Sequence, residues 1–170
     1  KEGFFSGKNL ILVMFLSLII IGVAIAALWH PFSSSSPEEE LPQLYELTNS
    51  DLSEFRGKIV VIDFFEIQCI PCRREIQELA EINSRYDPNQ VIILSVAPGS
   101  EDEVELRKFK RDYNMTWLVA QDKVHLLDKF EVWAFPTIVI LDEHGEVQFR
   151  KEGIVPASDL SNIIDNLLGG

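Results

Sequence analysis

Lys58-Ile59-Val60-Val61-Ile62-Asp63-Phe64-Phe65-Glu66-Ile67-Gln68-Cys69-Ile70-Pro71-Cys72-Arg73-Arg74-Glu75 joins a strand pattern to a helix pattern through the only two cysteines of the chain. Residues 58–65 are nearly continuous β-branched and aromatic side chains, as in a central strand covered on both faces. A helix follows over 71–86. Its apolar positions Ile76, Leu79, Ala80 and Ile82 lie near one face, leaving Arg73, Arg74, Glu75, Glu78 and Glu81 available to solvent. Pro88 blocks continuation. A Cys-x-x-Cys whose first cysteine opens a helix places that sulfur among unpaired backbone N–H groups at the positive end of the dipole, which favours a thiolate. Thiols so placed titrate at about 3.5 to 7.5 instead of about 8.5.

Downstream of this stretch, residues 91–96 read as a second apolar strand. Pro98-Gly99-Ser100 is a turn, and the acidic residues 101–103 suit the first turn of a helix running to about Tyr113. A short strand at 117–119 and a helix over 122–130 come next. Residues 137–141 and 146–150 flank Asp142-Glu143-His144-Gly145 and predict a β-hairpin, and 156–168 closes the chain as a helix. Strands that alternate with helices and end in a hairpin predict an α/β fold, a mixed central β-sheet flanked by helices.

Upstream, residues 10–28 form a nineteen-residue run without charge or Pro. As a helix it spans about 28 Å, enough to cross a bilayer. Lys1 and Lys8 precede it and Glu38, Glu39 and Glu40 follow it, which keeps the N-terminus cytoplasmic and sends the remainder outward. The expected organisation is a cytoplasmic N-terminus at 1–9, one transmembrane anchor at 10–29, a flexible linker at 30–43 containing four consecutive serines, and a folded domain at 44–170. The expected location is therefore the cell membrane, single-pass, with the cysteines outside. Ala24-Ile25-Ala26 leaves open a cleaved signal peptide, which puts the cysteines in the same disulfide-permissive space. The 170 residues carry 27 acidic against 15 basic side chains, a net charge of −12, so nucleic acid is not an expected partner.

Three stretches resemble the thioredoxin superfamily and, within it, the membrane-anchored TlpA/ResA-like branch. They are Asp51-Leu52-Ser53-Glu54-Phe55-Arg56-Gly57-Lys58, the run from Asp63-Phe64-Phe65 through Cys69-Ile70-Pro71-Cys72-Arg73-Arg74-Glu75, and Phe135-Pro136-Thr137. The resemblance spans about 44–170. The extra strand and helix between Cys72 and Pro136 also fit that branch. It implies a thioredoxin-like fold in which Cys69 attacks a partner disulfide, Cys72 resolves the mixed disulfide and Pro136 is a cis-proline facing them. Gln68, Ile70, Pro71, Phe135 and Thr137 would then line the client site. The family's usual Trp before the first cysteine is replaced here by Gln68, and Phe135 is bulky for its position.

Asp63 interrupts the apolar strand six residues before Cys69. A desolvated carboxylate there is a proton acceptor for Cys72, matching the buried acid of thioredoxins; the plainer reading is an acid at the strand edge satisfied by hydrogen bonds. Glu66 reads as a solvated loop residue, Arg73 and Arg74 as facing water, Trp117 and Trp133 as core or rim, and His144 as part of a turn. An inert structural bridge is disfavoured because so short a loop stabilises little. A zinc half-site lacks ligands, since His30, His125 and His144 have no partner spacing, so neither metal nor cofactor is expected.

The expected function is thiol-disulfide exchange with protein disulfide or dithiol substrates. The resemblance tilts the direction toward a reductant recharged by a membrane electron donor of thiols, serving cytochrome c maturation. Two alternatives stay open. One is a thioredoxin-like copper chaperone, whose cysteines are usually one residue further apart; the other is a thiol peroxidase, which needs Thr where Glu66 stands.

Overall fold

The computed structural model describes residues 41–169; the expected anchor and all but the last residues of the expected linker lie outside this range. Among the described residues no helix is long and apolar enough to cross a membrane. A single 3-10 turn at Ser53–Phe55 leads into β1 (Ile59–Phe64), then α1 (Ile70–Arg85), β2 (Val91–Pro98), α2 (Glu103–Asp112) and β3 (Leu118–Asp122). The short α3 (Leu126–Lys129), the hairpin β4 (Thr137–Leu141) and β5 (Val147–Glu152), and α4 (Ala157–Leu168) complete the chain.

The five strands lie in the order β3-β2-β1-β4-β5, which places β1 at the centre. It runs parallel to β2, with Asp63 opposite Ser95, and antiparallel to β4, with Phe64 opposite Thr137. The sheet is thus mixed, as the strand and helix pattern implies. Alternation along β1 sorts its side chains into two cores. Ile59, Val61 and Phe65 pack under α1, α2 and α4 with Ile76, Leu79, Leu106, Phe109, Leu160 and Ile164. Val60, Ile62 and Phe64 face the other way, against Leu47, Leu52, Phe55, Leu126 and Phe130. Full burial of each such side chain contributes roughly 1.5–3 kcal/mol, which explains why so long an apolar run is stable only at the middle of the sheet.

Two elements differ from expectation. The helix over 122–130 shrinks to α3 because the Asp122 carboxylate accepts the N–H groups of Val124, Leu126 and Leu127, while left-handed backbone at His125 (φ 62°) and Glu131 (φ 52°) bounds it. In α1, Ala80 is exposed and Glu75 is buried, the reverse of their expected faces. The hairpin turn forms as read: the Asp142 carboxylate accepts the N–H groups of His144 and Glu146, and Gly145 supplies φ +81°.

Candidate active site

β1 ends at Phe64, and five residues carry the chain to the N-terminus of α1. Cys69 is the N-cap of this sixteen-residue helix, and its Sγ accepts the Cys72 N–H at 3.1 Å. Pro71 lies in the first turn, where its missing N–H would be unpaired in any case. Cys69 and Cys72 are joined by a disulfide. Cys69 is half-buried and Cys72 fully buried, so only the first sulfur can meet a partner, and the second needs a partner within the protein to exchange its proton.

The loop is held at Ile67. Its N–H donates to Glu101 Oε1 at 3.1 Å, and its carbonyl accepts from Arg73 Nη2 at 3.3 Å. Arg73, expected to face water, instead fastens the loop before the disulfide; Arg74 is exposed as expected. Glu66 is half-buried and its carbonyl accepts the Cys69 N–H.

Two carboxyl groups are buried in the elements that flank the disulfide, Asp63 on β1 and Glu75 on α1. Asp63 points to the same face of β1 as Val61 and Phe65, toward α1, and is fully buried. Its Oδ2 accepts from Ser95 Oγ at 2.8 Å, and Ser95 Oγ in turn accepts from the buried Trp117 Nε1 at 2.9 Å. The second oxygen, Oδ1, has no partner among the described residues. Burial pushes the Asp63 carboxyl up to about 7, against a smaller opposing pull from the Ser95 hydroxyl.

Glu75 follows Cys72 by one helical turn and is also fully buried. Its Oε2 accepts the Val155 N–H at 2.9 Å, and Oε1 is unpartnered among the described residues. Burial pushes this carboxyl up to about 8; the Val155 hydrogen bond opposes the rise and repulsion from Asp63 and Glu78 adds to it. The sequence reading missed Glu75. The signal was present in the spacing Cys72, Glu75, Ile76, Leu79, which is one helical face with an acid in it.

The third component arrives from β4. The Phe135–Pro136 peptide is cis and Pro136 is buried, its carbonyl accepting the Gly153 N–H. Because Thr137 pairs with Phe64, this segment enters the sheet at the end where the cysteine loop leaves it. Of the residues implied to line the client site, Gln68, Ile70 and Pro71 are exposed and Phe135 is half-buried. Thr137 is buried, with its hydroxyl donating to the Ala134 carbonyl, so its side chain braces the loop. His144 sits at the opposite end, in the hairpin turn that accepts the Gly57 N–H at Glu143. The sequence profile of the AhpC/TSA family matches residues 34–150, more than half of the chain.

The chain belongs to the AhpC/TSA family. Within it, this is a TlpA/ResA-like protein of the thioredoxin superfamily. It is 27% identical over 117 residues to the thioredoxin-like protein YneN of Bacillus subtilis, covering 68% of this chain and 69% of that one. Over a stretch of the same length it is 29% identical to the thiol-disulfide oxidoreductase ResA of Geobacillus kaustophilus, covering 68% and 67%. A solved thiol:disulfide interchange protein of the thioredoxin family from Chlorobium tepidum superposes with a TM-score of 0.64 at 19% identity, over 74% of this chain and 93% of that one, which shows the shared fold. In this family member the redox pair, the two buried acids and the cis-proline segment meet at one end of the sheet.

Proposed function

We propose that this thiol-disulfide oxidoreductase reduces disulfides of protein clients on the outer side of a membrane, to which residues 10–28 tether it. The observation that carries the reading is the asymmetry of the pair: one sulfur is accessible at a helix N-terminus and the other is fully buried, with buried carboxyl groups on β1 and α1 that burial raises to about 7 and about 8.

In the reduced protein the Cys69 thiolate, favoured by the first-turn N–H groups and the dipole of α1, attacks one sulfur of a client disulfide. A Cys69–client mixed disulfide forms, and the client's other sulfur leaves as a thiolate that takes a proton from water. Cys72 then gives its proton to an ionised Asp63 or Glu75 and attacks Cys69 Sγ. The Cys69–Cys72 disulfide forms and the second client sulfur departs as a thiolate, which takes its proton from water. Two electrons pass to the client, which gains two protons. A carboxyl with a pKa near 7 or 8 can accept that proton and return it when the disulfide is next reduced.

The outward orientation rests on the apolar run at 10–28 and its flanking charges. The direction of electron flow, the membrane thiol donor that would recharge the pair, and clients in cytochrome c maturation rest on the likeness to ResA-type proteins. The peroxidase alternative is weakened by Glu66, which puts a carboxylate where a hydroxyl is needed.

The test is Cys72→Ser in the full chain. The reading expects mixed disulfides trapped at Cys69 that dissolve in dithiothreitol and are lost when Cys69→Ser is added; no trapped partner in any redox state overturns it. For orientation, a membrane-impermeant maleimide should label reduced Cys69 in intact cells, and labelling only after permeabilisation would refute the outward placement.

A further inference from the structure

Two six-residue strings frame the disulfide: Ile67-Gln68-Cys69-Ile70-Pro71-Cys72 on the helix side and Val132-Trp133-Ala134-Phe135-Pro136-Thr137 on the cis-proline side. Neither contains a charged residue, in a protein with a net charge of −12. Within them Trp133 is 84% exposed and Ile70 is 72% exposed, the two most exposed of the large hydrophobic side chains among the described residues. The other Trp in this range, Trp117, is buried and its indole N–H is bonded to Ser95.

The exposure of Trp133 is built in. Arg150 donates to the Phe130 and Glu131 carbonyls, the Val132 N–H donates to Leu127, and Val132 is buried. On the far side the Thr137 hydroxyl holds the Ala134 carbonyl, and Phe135 packs against both cores. Trp133 is therefore the outward tip of a loop fastened before and after it. Scattered single apolar side chains are ordinary on a surface. Here, however, an indole on a fastened loop and an exposed Ile lie on the two segments that the β1–β4 register brings to the end of the sheet where the half-buried Cys69 stands.

We infer that Trp133 is a specificity-determining residue, selecting client segments that carry an aromatic or large aliphatic side chain within two positions of the reacting cysteine. This rests on the exchange reaction proposed above and names its client class. An extended segment repeats its side-chain direction every second residue, about 7 Å along the chain, so a residue that close to the cysteine falls within reach of the rim. An uncharged, apolar rim rewards burial of such a side chain, whereas a charged flank would lose water without gaining a partner.

The experiment uses the reduced full chain with three probes: glutathione disulfide, and two peptides whose single cysteine is capped by thionitrobenzoate, one flanked by Phe and one by Ser. Each reaction oxidises Cys69 and Cys72 to the disulfide; a capped peptide leaves as peptide thiol and thionitrobenzoate, the latter read by absorbance, and glutathione disulfide leaves as two glutathione thiols, read by loss of the protein's free thiols. The parent should react roughly tenfold faster with the Phe peptide than with the Ser peptide, as the second-order rate constant of the single oxidation, the scale of one good aromatic contact. In Trp133→Ala that ratio should fall close to one while the glutathione disulfide and Ser-peptide rates stay unchanged; Trp133→Phe should keep most of the preference. No preference in the parent, a preference that survives Trp133→Ala, or an equal loss on all three probes overturns the assignment. Failure of the parent to react even with glutathione disulfide overturns the exchange reading itself and this inference with it.

Discussion

Asp63 and Glu75 come from different elements, yet each is fully buried with one carboxyl oxygen bonded and the other without a partner among the described residues. Such groups resist ionisation, and two of them near each other resist it jointly, because the second charge meets the first in a medium that screens poorly. Replacing Asp63 by Asn removes that repulsion, so the Glu75 titration should move downward from about 8 when followed by carboxyl NMR against pH. The same variant loses one proton acceptor for Cys72. Resolution of a mixed disulfide preformed at Cys69 should slow on the order of 10²-fold at pH 7, the usual contribution of a general base, with a smaller defect at pH 9 where hydroxide competes as proton acceptor. An unchanged pH profile would remove Asp63 from the reaction. Asp63 was legible in the sequence because a lone acid in an apolar strand has nowhere to go but inward or to an edge. Glu75 was not, because an acid on a helix is ordinarily solvated and only the facing loop shows that this one is not.

At the scale of elements, α1 does more than present the cysteines. Glu75 Oε2 takes the Val155 N–H and Glu78 Oε2 takes the Ala157 N–H at 2.8 Å, so two acids one turn apart clasp the entry to α4. The second of these acts as a cap supplied from another helix, since the N-cap of α4 is Pro156, which offers no side-chain acceptor. Glu78→Ala should destabilise the fold by about 1 kcal/mol, the usual worth of a lost cap, and lower the thermal midpoint by a few degrees; calorimetry would show it. The exchange rate with glutathione disulfide should change little. The helix itself was readable from its period, its Pro in the first turn and the Pro that follows it. The short α3 was not, because its length depends on where the Asp122 carboxylate finds N–H groups to bind.

For the molecule as a whole, the buried acids set how stability changes with pH. The Asp63 carboxyl lies at about 7 in the fold against an ordinary 3.8, so the unfolded chain releases this proton first as pH rises. Stability is therefore fully present below about pH 4 for this group, declines above that, and levels off once pH passes 7; Glu75 extends the decline through about 8. Asp63→Asn should be more stable than the parent by about 4 kcal/mol at pH 8 and nearly equal to it at pH 4, in urea unfolding at both values. A constant difference across that range would contradict the burial argument. What the sequence by itself determined are the properties that neighbours along the chain decide: the apolar central strand, the cysteine pair opening a helix, the hairpin with its Asp and Gly, and the α/β order of elements. These follow from side-chain period and turn chemistry acting over a few residues. Only the tertiary structure decided which acid of α1 is buried, that Arg73 and Glu101 hold Ile67, and that Trp133 stands in water while Trp117 lies in the core. Each of those depends on what a distant segment places opposite the side chain, and desolvation and hydrogen bonding respond to that environment and not to position in the chain.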